Sequence, residues 1–531
     1  MSKPARKIEP EHRPTNGRSS GLCRLSAHEI ARLIKGGEIT ALEVVEAHIE
    51  RVERVNAKLN AVIVRRYDEA RSEAREIDRR RVRGEALPPL AGVPVTIKEC
   101  LDLKGTPSTF GLAARANHVA AEDDPYVARL RAAGAIVLGK TNVAQILFFT
   151  ETDNPLYGRS NNPWNVERSP GGSSGGQAAI IAAGGSPLGL GTDIGGSLRV
   201  PAHYCGIAAL RPTAGRAPDY GRFSVPIGEQ AVPSEVGPLA RDVQDLALCL
   251  EVMNNRNPET GPTTPLGDFR AVDVSKLRVA VFADDGLFTP SPAAERAVHE
   301  AAEILATAGA KITAWQPPAP LTAKFLWLAL VMADRGQGMK RLLRGEKVDS
   351  RIGILLKLAA LPGWLRSFAA KVAGLVGQST LAGTLRAIGD GSVDQYWRTV
   401  EAQLDYQETW RRAFEPFDVV LFPAYGVPAV RHGANNNLPT TGSYAFLAPV
   451  LGYPAGVVPV TRVREGEETR RLKARDMAES TAAASEAESA GLPAGVQVMA
   501  RPWCEHIALA AMQAIETEAR KRSGYPDMAP I

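Results

Sequence analysis

The chain has 531 residues, and 44% of them are hydrophobic, which is ample for a large buried core. The net charge of +5 is small and dispersed along the chain, which argues against a nucleic-acid-binding protein. The five cysteines show no CxxC or Cys/His spacing, so we expect reduced thiols in a cytosolic protein and no metal site.

The first part of the chain predicts a tail followed by helices. Residues 1–20 are polar and basic without an apolar stretch, which favours a disordered tail over a signal peptide or a membrane anchor. Apolar residues at helical spacing predict helices over 27–80, with Thr40 as the N-cap of the second helix. No stretch reaches about 18 uninterrupted apolar residues, so no transmembrane helix is expected.

Farther along the chain, short β-rich runs bounded by Gly or Pro alternate with helical segments such as 292–308 and 505–521. The predicted strands are Val93–Ile97, Ala135–Leu138, Leu188–Thr192, Leu277–Phe282, Val419–Phe422, Gly456–Val460 and Gly495–Met499. This alternation indicates an α/β protein whose sheet is covered by helices on both faces. The charged, Ala/Ser/Glu-rich segment 464–490 is predicted to be an exposed excursion that carries no chemistry.

Residues 170–216 are the most informative stretch, because glycines there surround Ser173, Ser174 and Ser197. Glycine lets backbone N–H groups approach a reacting atom closely, so a serine in this setting can be a nucleophile with an oxyanion hole beside it. The run TDIGGS would supply four successive N–H groups, those of Ile194, Gly195, Gly196 and Ser197. The absence of a GxxxxGK[ST] pattern excludes a phosphate-binding loop of the usual kind.

This stretch resembles the signature of the amidase signature family at nearly every position, and in particular that of the fatty acid amide hydrolases. The resemblance implies a Ser–Ser–Lys triad that needs no cofactor. In this triad Ser197 is the nucleophile, Ser173 is a bridging serine in a cis peptide, and Lys98 is the base. Lys98 ends the apolar run VPVTIK, and its spacing from both serines is similar to that of the family.

A lysine acts as a base when burial disfavours its charged form and lowers its pKa. The alternative interpretation is that Lys98 is a surface lysine at a strand end, with Glu99 on the opposite face of the strand. Supporting roles are expected for Ser174 and Thr192, which would orient the triad, and for Asp193 and Arg199, which would pair and hold the nucleophile loop. A purely structural role is the equal alternative for each of these four residues.

His203 follows the nucleophile by six residues and would be its conventional partner, but a lysine relay makes it redundant. We therefore expect His203 to be a packing residue and Cys205 to be inert core. An acyl channel lined by Leu147, Phe148 and Trp503 is implied by the resemblance, although aromatic residues are more often ordinary core.

The resemblance extends over about residues 27–520, because the segments 98–112, 444–461 and 490–506 are also similar to the fatty acid amide hydrolases. It implies one amidase signature domain over 21–531. The implied architecture is an α/β/α sandwich in which helices cover a large twisted mixed β-sheet.

The segment 352–389 argues for a lipid independently of the signature. It contains no acidic residue, its apolar residues form a helical stripe, and Pro362 and Gly363 break it into two helices. It has four basic residues, Lys357, Arg366, Lys371 and Arg386. A core-packed helix pair is the alternative, but the position of the segment matches the membrane-binding cap of fatty acid amide hydrolases, so we predict a membrane-binding hairpin.

We therefore predict a serine hydrolase of lipid amides, cytoplasmic and peripheral at the membrane. Its expected partners are a lipid amide substrate and a membrane surface through 352–389, but no nucleic acid, and a homodimer is left open. A short-chain or aryl amidase and the glutaminase subunit of a tRNA-dependent amidotransferase are the alternatives, and 352–389 argues against both. A non-catalytic lipid-binding protein is a third alternative, which the intact Lys98, Ser173 and Ser197 disfavour.

Overall fold

A computed structural model describes residues 21–218, 228–254, 264–436, 443–471, 473–474 and 476–531. The predicted tail, 1–20, lies outside these residues. The eleven strands in the described residues are β1 (Val62–Arg65), β2 (Pro94–Lys98), β3 (Ile136–Thr141), β4 (Leu188–Asp193), β5 (Ala208–Arg211), β6 (Glu235–Ala240), β7 (Arg278–Val281), β8 (Lys311–Ala314), β9 (Val419–Pro423), β10 (Ala455–Arg462) and β11 (Pro493–Ala500). They form one mixed sheet in the order β1-β3-β2-β4-β6-β5-β10-β11-β9-β7-β8.

Helices connect and cover these strands. The α-helices of the described residues are α1 (Ala27–Gly36), α2 (Ala41–Leu59), α3 (Tyr67–Val82), α4 (Pro125–Ala132), α5 (Gly175–Ala182), α6 (Arg199–Cys205), α7 (Val243–Met253), α8 (Pro292–Thr307), α9 (Leu321–Val331), α10 (Gln337–Leu342), α11 (Ser350–Ala360), α12 (Gly363–Leu375), α13 (Ser379–Ala387), α14 (Val393–Phe414), α15 (Ser443–Leu451), α16 (Met477–Glu486) and α17 (Glu505–Ala519). The predicted α/β class is confirmed.

All seven predicted strands are present, with ends that differ by a few residues, and the helices predicted at 292–308 and 505–521 are α8 and α17. Thr40 caps α2 as predicted, since its Oγ1 accepts the Glu43 N–H at 3.1 Å. The prediction of helices throughout 27–80 is wrong at β1, a four-residue strand that pairs with β3. So short a strand shows no clear period, and β5 and β8, which also have four residues, were not predicted for the same reason. The six-residue β6 was not predicted either, and it contains Gly237 and Pro238.

Two neighbouring strands bring the predicted catalytic residues together. The strands β2 and β4 are parallel, with Val95 opposite Leu188 and Ile97 opposite Leu190, and every residue of both strands is buried. Because the carboxyl ends of parallel strands meet at one edge of a sheet, Lys98 at the end of β2 lies beside the end of β4.

The segment 352–389 forms three helices, α11 to α13, rather than the predicted two-helix hairpin. The break at Pro362 is present, and α11 and α12 are bent by 113° across it. Arg366 does not belong to the basic surface, because it is buried and its Nη2 donates to the Gly389 carbonyl oxygen at 2.9 Å. The other three basic residues, Lys357, Lys371 and Arg386, are exposed.

The outer side of α12 is apolar. Trp364, Phe368, Val372 and Leu375 are 74%, 61%, 41% and 87% exposed, and we call these four residues the apolar face. Taken singly, no described helix has the length and apolar composition to cross a membrane, whereas α11 and α12 meet that criterion as a bent pair.

Candidate active site

Lys98 is fully buried at the end of β2 and is surrounded by hydroxyl groups. Its Nζ lies 2.8 Å from Ser173 Oγ and 2.7 Å from Thr192 Oγ1, both at hydrogen-bond distance. The surface-lysine alternative is therefore wrong. Glu99 points away from Lys98, as expected, and its carboxylate accepts the N–H groups of Thr109 and Phe110.

Ser173 lies just before α5, and the peptide bond that joins it to Gly172 is cis, as the resemblance implied. Its hydroxyl is buried and bonded to Lys98, so the first half of the predicted relay is in place. Within the described residues no hydrogen bond joins Ser173 to Ser197. Catalytic hydrogen bonds are often long in a ligand-free site and tighten when substrate binds.

Ser197 lies in the turn that joins β4 to α6, and two glycines before it are needed there. Gly196 has a φ of 105°, which side-chain-bearing residues rarely adopt. At Gly195 a Cβ would lie 2.9 Å from the Cζ2 atom of Trp327, so no larger residue fits. The sequence run GGS is therefore explained by the tight turn that presents Ser197.

The predicted oxyanion hole is only partly available. The N–H groups of Ile194, Gly195 and Ser197 have no hydrogen-bond acceptor in the described part of the chain. The Gly196 N–H is different, because it donates to Asp193 Oδ1 at 2.7 Å. Gly196 is therefore removed from the predicted set, since the Asp193 carboxylate already holds its N–H.

Asp193 and Arg199 form the predicted ion pair, and both side chains are fully buried. Arg199 Nη2 lies 3.0 Å from Asp193 Oδ1, and Arg199 Nε lies 3.0 Å from Oδ2. Burial acts to raise the pKa of Asp193, but the Arg199 guanidinium, together with the charge of Arg211 and the Gly196 N–H, outweighs burial and holds the pKa below its usual value. The same carboxylate accepts the Gly196 and Leu198 N–H groups, so the pair fixes the turn on both sides of Ser197.

Ser174 and His203 are held by the backbone. Ser174 donates its N–H to the Ser197 carbonyl oxygen at 3.3 Å, and its Oγ lies 3.4 Å from the Thr192 carbonyl oxygen. His203 is buried, with Nε2 3.2 Å from the Val427 carbonyl oxygen, and its Nδ1 accepts the Gly495 N–H at 3.2 Å. Burial lowers the pKa of His203 to about 4. His203 therefore packs as a neutral ring, and Cys205 is fully buried as expected.

A cavity of about 380 Å³ opens beside Ser197, and most of the side chains that line it are apolar. Leu147 and Phe148 line it, in agreement with their predicted place in a channel. Trp503 does not line it, which corrects that part of the prediction. The backbone N–H of Trp503 donates to Thr213 Oγ1, and the indole ring of Trp503 packs against the Arg216 guanidinium instead.

Several residues of the cavity wall were not predicted from the sequence. Trp327 of α9 donates its indole N–H to the Ile194 carbonyl oxygen at 2.8 Å and so supports the turn before Ser197. Arg351 of α11 lies 3.3 Å from Glu151 and is also bonded to Asp349. Lys324 of α9 lines the same cavity. A lone lysine in the apolar run LTAKFLWLALV was the signal that could have indicated it.

The segment 464–490 is largely exposed over its described residues up to 474, as predicted, but its second half is a helix that reaches the cavity. Residues 472 and 475 lie outside the described residues, but Asp476 caps α16 and, with Met477 and Ala478, lines the cavity. Glu486 at the other end of α16 is buried and 3.1 Å from Arg471. Charge and small residues in this segment thus serve packing and the cavity wall.

Comparisons with known proteins show the family of the chain. The Amidase family model matches residues 43–509. A fatty-acid amide hydrolase 1 from Sus scrofa is 35% identical over 512 residues, which cover 94% of this chain and 86% of that protein. An indoleacetamide hydrolase from Bradyrhizobium diazoefficiens is 32% identical over 515 residues, which cover 93% of this chain and 86% of that protein.

A solved structure of a fatty acid amide hydrolase is also similar. It has a TM-score of 0.81 and 26% identity, and the match covers 95% of this chain and 86% of that chain. The sheet described above is thus the amidase signature fold that the resemblance implied. With the family model matched over most of its length, the chain belongs to the amidase signature family of amide hydrolases.

Proposed function

We propose that this protein hydrolyses lipid amides through an acyl-enzyme on Ser197. The observation that carries the proposal is the Lys98–Ser173 pair, 2.8 Å apart and buried, next to an apolar cavity that Ser197 lines. A base that is shielded from water and a hydroxyl that faces an apolar cavity are what a serine hydrolase of an apolar amide needs.

In the proposed reaction the neutral amine of Lys98 takes a proton from Ser173, while Ser173 takes the proton of Ser197. The Ser197 oxygen attacks the amide carbon, and the negative oxygen that forms is stabilised by the N–H groups of Ile194, Gly195 and Ser197. The proton returns from Lys98 through Ser173 to the nitrogen that leaves, because an amine is a poor leaving group without acid assistance. Water then releases the acid by the same relay and regenerates Ser197.

Two features favour a lipid amide over a small one. The cavity has an apolar lining of aliphatic and aromatic side chains, including Leu147, Phe148, Trp327 and Leu355. Its wall also includes exposed residues of the two helices that flank α12 in the chain, Ile354 of α11 and Leu381 of α13. We propose that the apolar face lies in the membrane interface and that substrate enters the cavity there.

The test is a hydrolysis panel with one amine and acyl chains from acetyl to oleoyl, all presented in the same detergent. If the substrate is a lipid amide, kcat/KM rises with chain length through the medium and long chains, because each buried CH₂ adds about 0.8 kcal/mol of binding. An optimum at acetamide, or on an aryl amide such as indoleacetamide, would overturn the lipid assignment and favour a short-chain or aryl amidase. Glutamine belongs in the panel as the substrate of the amidotransferase alternative.

A further inference from the structure

Lys324 is a buried cation that the proposed reaction does not use. It projects from α9 among the buried apolar residues Ala323, Leu326 and Trp327, and its Nζ lies 5.3 Å from the centre of the half-buried Phe325 ring. The side chain is 3% exposed and lines the cavity, yet its Nζ has no hydrogen-bond partner in the described residues. An ammonium group has three N–H donors, and leaving them unpaired away from water is costly.

The nearest carboxylates do not neutralise Lys324. Asp285 and Asp476 both act on its charge, but neither makes an ion pair with it within the described residues. Asp476 accepts the Glu479 N–H at the start of α16. Asp285 Oδ1 accepts the N–H groups of Leu287 and Phe288, and Asp285 Oδ2 is buried without a hydrogen-bond partner in the described residues. Burial outweighs both carboxylates and lowers the pKa of Lys324 to about 7, so a bound anion would restore the charged form.

The other cation of the cavity wall is already paired. Arg351 lies between the carboxylates of Asp349 and Glu151, so its charge is compensated inside the protein. Among the described residues that line the cavity, Lys324 is therefore the cation left for a ligand. Its single charge matches one carboxylate, and the apolar lining around it disfavours a dianion.

Lys324 is also placed within reach of a substrate bound at Ser197. It precedes Trp327 by three residues, which puts both side chains on one side of α9, about 4.5 Å apart along the axis. The Trp327 indole is bonded to the Ile194 carbonyl oxygen of the nucleophile turn. Asp476 and the half-exposed Met477, at the start of α16, belong to the same cavity wall. Lys324 thus shares this wall with the nucleophile turn and with the start of α16.

We propose that Lys324 binds a free carboxylate of the substrate, on either side of the amide bond, so that the enzyme prefers amphiphilic amides with an acid group. The proposal rests on the amide hydrolysis proposed above. The carboxylate could belong to the acyl chain, as in a monoamide of a dicarboxylic acid, or to the amine, as in an N-acyl amino acid. Both present the same group to Lys324, and substrate pairs distinguish them.

The test uses the full chain and two matched pairs of substrates. One pair is the p-nitroanilide of decanoic acid and the mono-p-nitroanilide of decanedioic acid, and the other is N-decanoylethanolamine and N-decanoylglycine. In Lys324→Met we expect kcat/KM for the acid-bearing member of one pair to fall about tenfold or more, mainly through KM, since a hydrogen bond to a charged group is lost. The neutral members should change less than about twofold, and the exposed-lysine control Lys347→Met should change neither.

A binding measurement separates this proposal from the proposed hydrolysis. In a Ser197→Ala background, calorimetry with decanamide and 9-carboxynonanamide requires no turnover, and Lys324→Met should weaken the acid amide alone by a similar factor. Equal losses for acid and neutral ligands, accompanied by a lower Tm in both Lys324→Met and Lys324→Gln, would show that Lys324 instead supports Asp285 in the fold. No change for any ligand, or no preference for the acid amide in the parent protein, would also overturn the carboxylate site.

Discussion

At the scale of single residues, the proposed chemistry depends on one reactive hydroxyl. Ser197 lines the cavity, whereas Ser173 and Ser174 are buried behind it. An alkyl fluorophosphonate should therefore add to Ser197, which mass spectrometry of the modified peptide will detect, and Ser197→Ala should take up no label. Label on a different serine that persists in Ser197→Ala would contradict the assignment of the nucleophile.

Lys98 is expected to contribute more than any other lysine. Lys98→Met removes the proton acceptor, so kcat should fall roughly 10²–10⁴-fold, whereas the exposed-lysine control Lys104→Met should stay close to wild type. Ser173→Ala should lose less activity, because a water molecule can take the place of its hydroxyl. The measurement is kcat against pH for each folded variant. A Lys98→Met enzyme with the wild-type profile would rule out the relay.

The Asp193–Arg199 pair is expected to matter for stability as well as for activity. Asp193→Asn leaves the fully buried Arg199 charge without its partner, which should lower the free energy of unfolding by about 3–5 kcal/mol. The matched control is Asp268→Asn, which breaks an exposed ion pair with Arg270 and should change stability by less than about 1 kcal/mol. Urea unfolding of the three proteins gives the comparison. Similar small changes in both variants would mean that Arg199 finds another partner.

At the scale of elements, α12 exposes its large apolar side chains instead of burying them. Its inner side buries Arg366, Ala370 and Ala373, and its outer side is the apolar face. Water disfavours such a surface, so we expect it to contact a membrane or another protein. The three exposed basic residues nearby favour an anionic bilayer.

The apolar face should bind vesicles that contain anionic lipid. Replacing both Trp364 and Phe368 by Ser should weaken binding at least tenfold in a flotation assay, because both side chains are more than half exposed and would enter the interface. Trp397→Ser on α14 is the control, since Trp397 is 63% exposed outside this face. Hydrolysis of a short soluble amide should be unchanged. An equal loss on soluble and vesicle-borne substrates would show that α12 supports the fold instead.

At the scale of the whole molecule, buried neutral histidines make stability depend on pH. Burial lowers the pKa of His48 and of His203 to about 4, below the usual value of 6.5. Each ring therefore contributes stability above pH 6.5 that is lost as the pH falls towards 4, because the unfolded chain takes up the proton first. The loss is up to about 3 kcal/mol for each ring.

The glutamine side chain of the His203→Gln variant cannot take up a proton. The free energy of unfolding of this variant should therefore fall less steeply between pH 6.5 and 4 than that of the wild type. The comparison of slopes cancels other groups, such as Glu516, whose pKa burial raises to about 8. Chemical unfolding at four or five pH values provides the measurement. Parallel curves for the two proteins would mean that His203 is protonated in the folded state.

Much of the site was predictable because most of its residues lie in one short segment of the sequence. Ser173, Ser197 and the glycines beside them share one segment, and their turn chemistry is local. Lys98 was chosen through the resemblance to the amidase signature family, because its spacing from the two serines is similar to that of the family. The role of the Gly196 N–H was not predictable, since it depends on where the Asp193 carboxylate turns once it is buried against Arg199.

The sequence by itself determined the α/β class, seven of the strands and the cap at Thr40, because these follow from local periodicity and from turn residues. The set Lys98, Ser173 and Ser197 was predicted from the resemblance to the amidase signature family. Tertiary structure alone decided which residues line the cavity. Ser197, Lys324 and Asp476 are far apart in the chain and come to one cavity wall only in the folded protein. Tertiary structure also decided burial. It excluded Trp503 from the cavity, turned Arg366 inward and left the Lys324 ammonium without a hydrogen-bond partner in the described residues. A local pattern contains no information on such contacts, because they depend on distances between elements that the chain brings together only by folding.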